Sequence, residues 1–279
     1  MGTLKNNSLI VILLAFLLTG CGTYTKMMKD PDPAKRYKAA MDFYNKGSYA
    51  KATPIFETLE IPWDGYPQHD TIKFYIAKGY YLMKDYYPAE AQLSEFIRTF
   101  GRSPFVEEAY YLRAANLYRM SLRAELDQRN TIDALTAFSL FHNRYPNSEF
   151  GKDDKDYYEE LINRLHEKTY ISAKLYYQIE DYKAAIVALR NSIKDFPDSK
   201  YNEEQSFLIL KSSFLYARKS VRQMQPERYI STIDEYYNFI SEYPESKYIA
   251  EANDIYETSL TFTKKKGIDI KDELDRTID

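Results

Sequence analysis

Three tetrapeptides, Tyr145-Pro146-Asn147-Ser148, Phe196-Pro197-Asp198-Ser199 and Tyr243-Pro244-Glu245-Ser246, repeat one signal along the chain. Phe100-Gly101-Arg102-Ser103 is a fourth copy with glycine in place of proline. In each copy the aromatic and the proline or glycine close one helix, and the serine caps the next. Counting back eleven residues from the aromatic reaches Ala89, Ala134, Ala185 and Thr232, and three residues earlier stand Tyr86, Thr131, Tyr182 and Tyr229; Tyr49 and Ala52 set the same register in a first copy. Twelve residues before the small residue a second one recurs, at Ala40, Ala77 and Ala173, each followed three residues later by Phe43, Tyr80 or Tyr176. In the remaining two copies the equivalents are Ala115 with Tyr118 and Ser213 with Tyr216. There the aromatic stands 13 residues before the next marker instead of 6, so each holds about two extra helical turns or a longer turn.

Small residues at this spacing let two helix backbones approach, and large aromatics fill the gaps between successive pairs. The order of small, aromatic and proline markers resembles the tetratricopeptide repeat family. That resemblance implies an all-α chain, an α-solenoid of about five helix pairs plus a C-terminal helix, curved so as to leave a concave side. Glycine is scarce, at 9 residues, and strictly alternating apolar and polar runs are absent. Helices are expected over 34–46 and 50–60, 70–84 and 87–100, 104–127 and 131–145, 153–180 and 182–196, 202–224 and 226–243, and 247–264. The repeats then occupy 34–60, 70–100, 104–145, 153–196 and 202–243 of an array spanning 34–264, followed by a tail at 265–279. Two prolines and a glycine in residues 61–67 break the first pair from the second.

Ahead of the repeats the chain reads as an export segment. Lys5 supplies positive charge, an apolar run extends from Leu9 to Leu18, and Leu18-Thr19-Gly20-Cys21 contains the only cysteine. The run is too short to cross a bilayer, which needs about 20 apolar residues. The tetrapeptide resembles a bacterial lipobox, which implies a signal peptide at 1–20, a diacylglycerol on the Cys21 thiol and an N-acyl chain on its freed amine. The alternatives are an ordinary signal peptide or an uncleaved anchor with an incidental cysteine. Residues 21–33 read as a polar linker between lipid and fold, with Pro31 and Pro33 opposing helix. No acidic residue directly follows Cys21, so by analogy with lipoprotein sorting signals the expected address is the periplasmic face of the outer membrane.

The repeats carry no standard catalytic constellation. His69, His142 and His166 lie far apart in sequence, and no metal-binding spacing, phosphate loop or nucleophile elbow occurs. The reading is of a protein that is not an enzyme, with no metal and no cofactor beyond the acyl chains. A formal net charge of −3 gives no nucleic-acid footprint. The outlier is tyrosine, at 28 residues, many in adjacent pairs such as Tyr80-Tyr81 and Tyr176-Tyr177. Neighbours on a helix point about 100° apart. One of a pair can therefore pack between repeats while the other faces outward for protein recognition.

Lipobox, length and repeats together resemble the BamD (YfiO-type) family, lipoproteins of the outer-membrane β-barrel assembly machinery. The local matches are Phe96-Ile97-Arg98 with Ser103-Pro104-Phe105-Val106 and Tyr111-Leu112-Arg113, then Arg144 to Phe150, and Tyr176-Tyr177 with Asp195 to Ser199. The resemblance implies a non-catalytic scaffold whose C-terminal repeats hold the insertase BamA alongside the other subunits of the complex. Its N-terminal repeats would receive C-terminal signals of unfolded outer-membrane β-barrel proteins. In this chain that role would fall to Tyr44, Tyr75, Lys78 and Tyr81, with Lys78 or Arg113 meeting polar groups of the peptide. The family's arginine contact to BamA aligns with Ala188, which leaves Arg190 and Lys194 as candidate partner contacts. The rival expectations are a nutrient- or glycan-binding lipoprotein resembling SusD, or another envelope repeat scaffold.

Overall fold

The computed structural model of the chain describes residues 24–152 and 155–266. Among the described residues a helical turn at 24–28 is followed by eleven helices and no strand. They are α1 (Pro33–Asn45), α2 (Tyr49–Glu57), α3 (His69–Leu82), α4 (Tyr86–Thr99), α5 (Val106–Met120), α6 (Arg129–Arg144), α7 (Lys155–Gln178), α8 (Tyr182–Asp195), α9 (Asn202–Arg218), α10 (Gln225–Glu242) and α11 (Ile249–Lys265). The fold is the all-helical repeat type. It forms two compact units: the first runs to Leu122 and includes Arg129–Leu161, and the second takes in Arg123–Gln128 and everything from Ile162. The apolar run, Cys21 and the tail beyond residue 266 lie outside the described residues.

Helices α1, α3 and α7 end alike, which explains the six-residue spacing in those three repeats. Gly47, Lys84 and Glu180 adopt left-handed φ values of 72°, 62° and 64°. In each turn the left-handed residue donates its N–H three residues back and its successor donates five residues back: Gly47 to Tyr44 and Ser48 to Phe43, Lys84 to Tyr81 and Asp85 to Tyr80, Glu180 to Tyr177 and Asp181 to Tyr176. This is the Schellman cap, which satisfies carbonyls that the helix leaves open. Glycine takes the left-handed position without cost, whereas a side chain there is strained by about 1–2 kcal/mol. Lys84→Gly is therefore expected to stabilise the fold by about 0.5–1 kcal/mol, part of the relief being offset by the greater freedom of glycine in the unfolded chain. A denaturation midpoint at or below that of the wild type would contradict this.

The serine signal proves to be half of a larger joint. The hydroxyls of Ser103, Ser148, Ser199 and Ser246 accept from the backbone N–H groups of Phe105, Phe150, Tyr201 and Tyr248, at 3.1 to 3.3 Å. Each of these aromatics stacks on a ring from the first helix of the preceding repeat: Phe105 on Phe74, Phe150 on Tyr111, Tyr201 on Tyr170, Tyr248 on Phe207, with centroids 4.4 to 6.0 Å apart. Four residues beyond three of those rings stands a lysine, paired at 2.6 Å with a glutamate of the next repeat: Lys78 with Glu108, Lys174 with Glu204, Lys211 with Glu251. In the other joint Ala115 stands where the lysine would be.

Small residues lie where the helices approach. Ala40, Ala52, Ala77, Ala89, Ala134 and Ala185 are fully buried. In the last pair Ser213 and Thr232 replace alanines, and their hydroxyls hydrogen-bond each other at 3.2 Å, so neither polar group is buried unsatisfied. The first two repeats approach still more closely at Gly79: a Cβ built there would lie 2.2 Å from the Thr53 hydroxyl.

Two expectations are corrected. The helices expected over 104–127 and 202–224 stop at Met120 and Arg218, so the additional residues of repeats three and five form longer connections rather than extra turns. The first connection is held within the second unit: Lys168 Nζ donates to the carbonyls of Glu125 and Leu126 at 3.0 and 3.2 Å, and Gln128 closes the loop on Arg123 and Leu126. The second correction concerns residues 21–33, expected to be a linker throughout. From Tyr24 onward the chain is docked: the Tyr24 ring meets Phe43 edge-on at 5.9 Å, and its hydroxyl donates to the Lys51 carbonyl at 3.1 Å. Met28 packs on the same core. Asp32 then caps α1 by accepting from the Ala34 N–H at 2.9 Å, and Pro33 occupies the first turn, where a missing N–H costs nothing.

Candidate partner and peptide surfaces

In the first unit the expected peptide-receiving residues do not form one open site. Tyr44 and Tyr75 meet edge-on at 4.7 Å, and Tyr75 stacks on Phe56 at 5.5 Å, so both belong to the packing between repeats one and two. The Tyr44 hydroxyl is buried without a partner, and burial pushes its pKa up. Lys78 is one of the three joint lysines, held by Glu108 and lying over the Phe74 ring. Arg113 lies elsewhere, its Nε donating to Glu90 Oε1 and Ser94 Oγ, each at 2.8 Å. Expected as cations open to a ligand, Lys78 and Arg113 are instead held in internal ion pairs.

Tyr81 leads to a different group. It is half-buried, and burial raises its pKa against the opposing pull of Arg119. The exposed Arg119 guanidinium lies 5.3 Å from the Tyr118 ring centre and 5.8 Å from that of Tyr157, and these two rings stack at 4.3 Å. No carboxylate pairs with Arg119 among the described residues. An arginine framed by three tyrosines and lacking an acidic partner offers a cation and apolar ring area together. The sequence gives little sign of this, because Arg119 lies in the part of α5 that the repeat register leaves unassigned.

The second unit carries a groove along α8. Ala184, Val187, Ala188 and Asn191 recur at three- and four-residue intervals and so form one stripe, which is opened by the small side chains. With Tyr176 they line a cleft of about 470 Å³, which shares Tyr176, Ala188 and Asn191 with a second cleft of about 250 Å³. At the other end it shares Asp181 and Lys183 with a third, of about 470 Å³, walled by Tyr216, Lys219 and Arg228. Val187 is 55% exposed, and Leu175 and Ile179, which line none of the three clefts, are 53% and 62% exposed. An exposed valine in a groove walled by alanines and a tyrosine leaves apolar area open to a partner. Of the two expected partner contacts, Arg190 faces away and pairs with Glu235 of α10, while Lys194 is exposed and lines none of the three clefts. The groove is built instead around Ala188.

No described helix is long and apolar enough to cross a membrane. Residues 29–212 match the family described as YfiO, outer membrane lipoprotein. Among curated proteins the chain is similar to the outer membrane protein assembly factor BamD of Neisseria meningitidis serogroup B, at 25% identity over 74% of this chain and 83% of that protein. It is 23% identical to BamD of Vibrio cholerae, over 71% of this chain and 86% of that one. To the putative BamD of Aquifex aeolicus it is 24% identical, over 77% and 71%.

Proposed function

The chain belongs to the YfiO family of outer membrane lipoproteins, and on that premise we propose that it is a non-catalytic scaffold in the assembly of outer-membrane β-barrel proteins. In this reading Cys21 carries the acyl chains and holds the protein on the periplasmic face of the outer membrane. The α8 groove docks a BamA-like insertase, and the first unit receives C-terminal signals of unfolded barrel proteins. The relatives named assembly factors support the process. The observation that carries the docking role is the exposed apolar stripe around Val187 and Ala188.

The stripe suits a protein partner because it is apolar, continuous and rimmed by Lys183, Lys219 and Arg228, a composition that gives both buried area and a polar edge. For the signal, Arg119 replaces Lys78 and Arg113 as the group placed to meet a terminal carboxylate, with Tyr81, Tyr118 and Tyr157 against an aromatic side chain.

Purification through a C-terminal tag from gently solubilised membranes tests the docking role. The wild type is expected to bring down a BamA-like insertase in stoichiometric amount. Val187→Glu, which puts a charge on an apolar contact at an exposed position, is expected to reduce the recovered insertase at least about tenfold. Recovery of a TonB-dependent transporter in place of an insertase would overturn the reading. Full insertase recovery with a correctly folded Val187→Glu protein would remove the groove from it.

A further inference from the structure

We propose that the first repeat carries a binding surface for anionic phospholipid headgroups, centred on a cleft between the docked turn at 24–28 and α1. The cleft holds about 350 Å³ and is lined by Lys35, Lys38 and Lys46, with Met27 and Phe43 as its apolar part and Asp30 and Asp42 as its acidic part. Lys26 and Lys29 flank Met27 and Met28 in sequence, and the Lys51 ammonium lies 5.6 Å from the centre of the Phe43 ring. All six lysines are exposed, and none forms an ion pair among the described residues. With Arg36, which donates to the Thr58 carbonyl, residues 24–51 hold seven basic side chains against three acidic ones, a net charge of +4 in a chain whose formal net charge is −3. One of the three carboxylates, Asp32, is used as the helix cap, and Asp30 accepts from the Asp32 N–H at 2.9 Å.

Lys73, Lys78, Lys174 and Lys211 are matched to glutamates, and the unmatched lysines of the first repeat are set apart by their clustering around one cleft. Unmatched cations gathered beside apolar side chains suit an interface where phosphates lie above hydrocarbon. Position selects a membrane as the occupant. Only Gly22 and Thr23 separate Cys21 from Tyr24, which is fixed to Phe43 and Lys51. Three residue steps reach about 10 Å at full extension. The choice of a membrane thus rests on the proposed acyl anchor, whereas the charge and the cleft do not depend on it.

The test uses the chain from residue 21 carrying Cys21→Ser, which has neither leader nor acyl group, so that a failed lipidation reading cannot affect the result. It is mixed with vesicles of phosphatidylcholine alone or containing phosphatidylglycerol. Binding is expected only to the latter, and is expected to fall away in about 0.5 M salt, where the screening length is only a few ångströms. Each lysine at an anionic surface contributes about fivefold to the partition constant, so Lys35→Gln/Lys38→Gln/Lys46→Gln should lower it about a hundredfold. Lys200→Gln/Lys247→Gln/Lys265→Gln should leave it unchanged, with circular dichroism confirming the fold of both variants. Equal binding to neutral vesicles, no binding to either, equal loss with both variants, or complete displacement by millimolar inorganic phosphate would each overturn the proposal, the last by showing a site for a free anion.

Discussion

Cys21→Ser, made together with Val187→Glu so that the proposed insertase contact no longer holds the chain, is expected to move the protein from the membrane pellet to the soluble fraction once salt is raised. No described helix can span a bilayer, and the apolar run at 9–18 is too short to do so. The proposed acyl chains are therefore the attachment that survives high salt. One myristoyl-length chain holds a protein only marginally, at about 0.8 kcal/mol per buried methylene, and three chains make release negligible on any experimental timescale. The lysine surface on the first repeat adds an electrostatic contribution that salt screens. The variant should accordingly sediment in part at low ionic strength and be recovered in the supernatant at high ionic strength, while the wild type stays in the pellet under both conditions. Mass spectrometry of the mature wild-type N-terminus should show an acylated cysteine. A Cys21→Ser/Val187→Glu protein that remains in the pellet after a high-salt wash, or a mature wild-type cysteine without acyl chains, would remove the acyl anchor from the reading.

Gly79→Ala is expected to cost about 2–3 kcal/mol of stability, a large effect for one added methyl group. The new Cβ would lie 2.2 Å from Thr53 Oγ1 and 3.4 Å from Thr53 Cβ. Thr53 is buried on α2, Gly79 is buried on α3, and the hydroxyl has no hydrogen-bond partner. Rotating the threonine brings either its methyl, of similar size, or its Cβ hydrogen to the same place, so relief needs a changed rotamer of a buried side chain or a shift of the helices, and overpacking of a tight core costs about 1–3 kcal/mol. The partner change removes the clash. In Thr53→Ala/Gly79→Ala the nearest approach is the Cβ at 3.4 Å, an ordinary contact. The double variant should therefore be more stable than Gly79→Ala alone, with a coupling of about 1–2 kcal/mol in chemical denaturation. Additive effects of the two substitutions would show that the helices part easily at this point.

The repeat architecture was legible because close packing leaves a mark that needs no partner to read. Ala40 with Ala52, Ala77 with Ala89 and Ala173 with Ala185 are small for a reason that acts within one helix pair, and the two members of each pair stand 12 residues apart. The joints between repeats were only half legible. Each serine was visible, yet Phe105, Phe150, Tyr201 and Tyr248 two residues later passed as ordinary aromatics. Their stacking partners lie 31 to 41 residues earlier, and no local spacing links them. Lys78 shows the same limit. Its position on a first helix suggested an open cation, and only the structure places Glu108 beside it. The groove on α8 was hidden for the opposite reason, since Ala184, Ala188 and Asn191 read as unremarkable helix residues until their shared face proves to be uncovered. Gly79 drew no notice because the register placed its small-residue marker at Ala77.

The docking of Tyr24 alters the arithmetic of every contact the first repeat makes with the bilayer. A protein tied down by a long linker samples a wide volume, and a weak headgroup site on it is mostly empty. Here the proposed tether leaves about 10 Å of slack, so the local concentration of headgroups seen by Lys35, Lys38 and Lys46 is on the order of millimolar or higher. A site that binds vesicles only weakly on the soluble protein would then be occupied for much of the time on the anchored one. The tilt of the first repeat on the membrane would be set by that occupancy, with no need for a tight lipid-binding pocket.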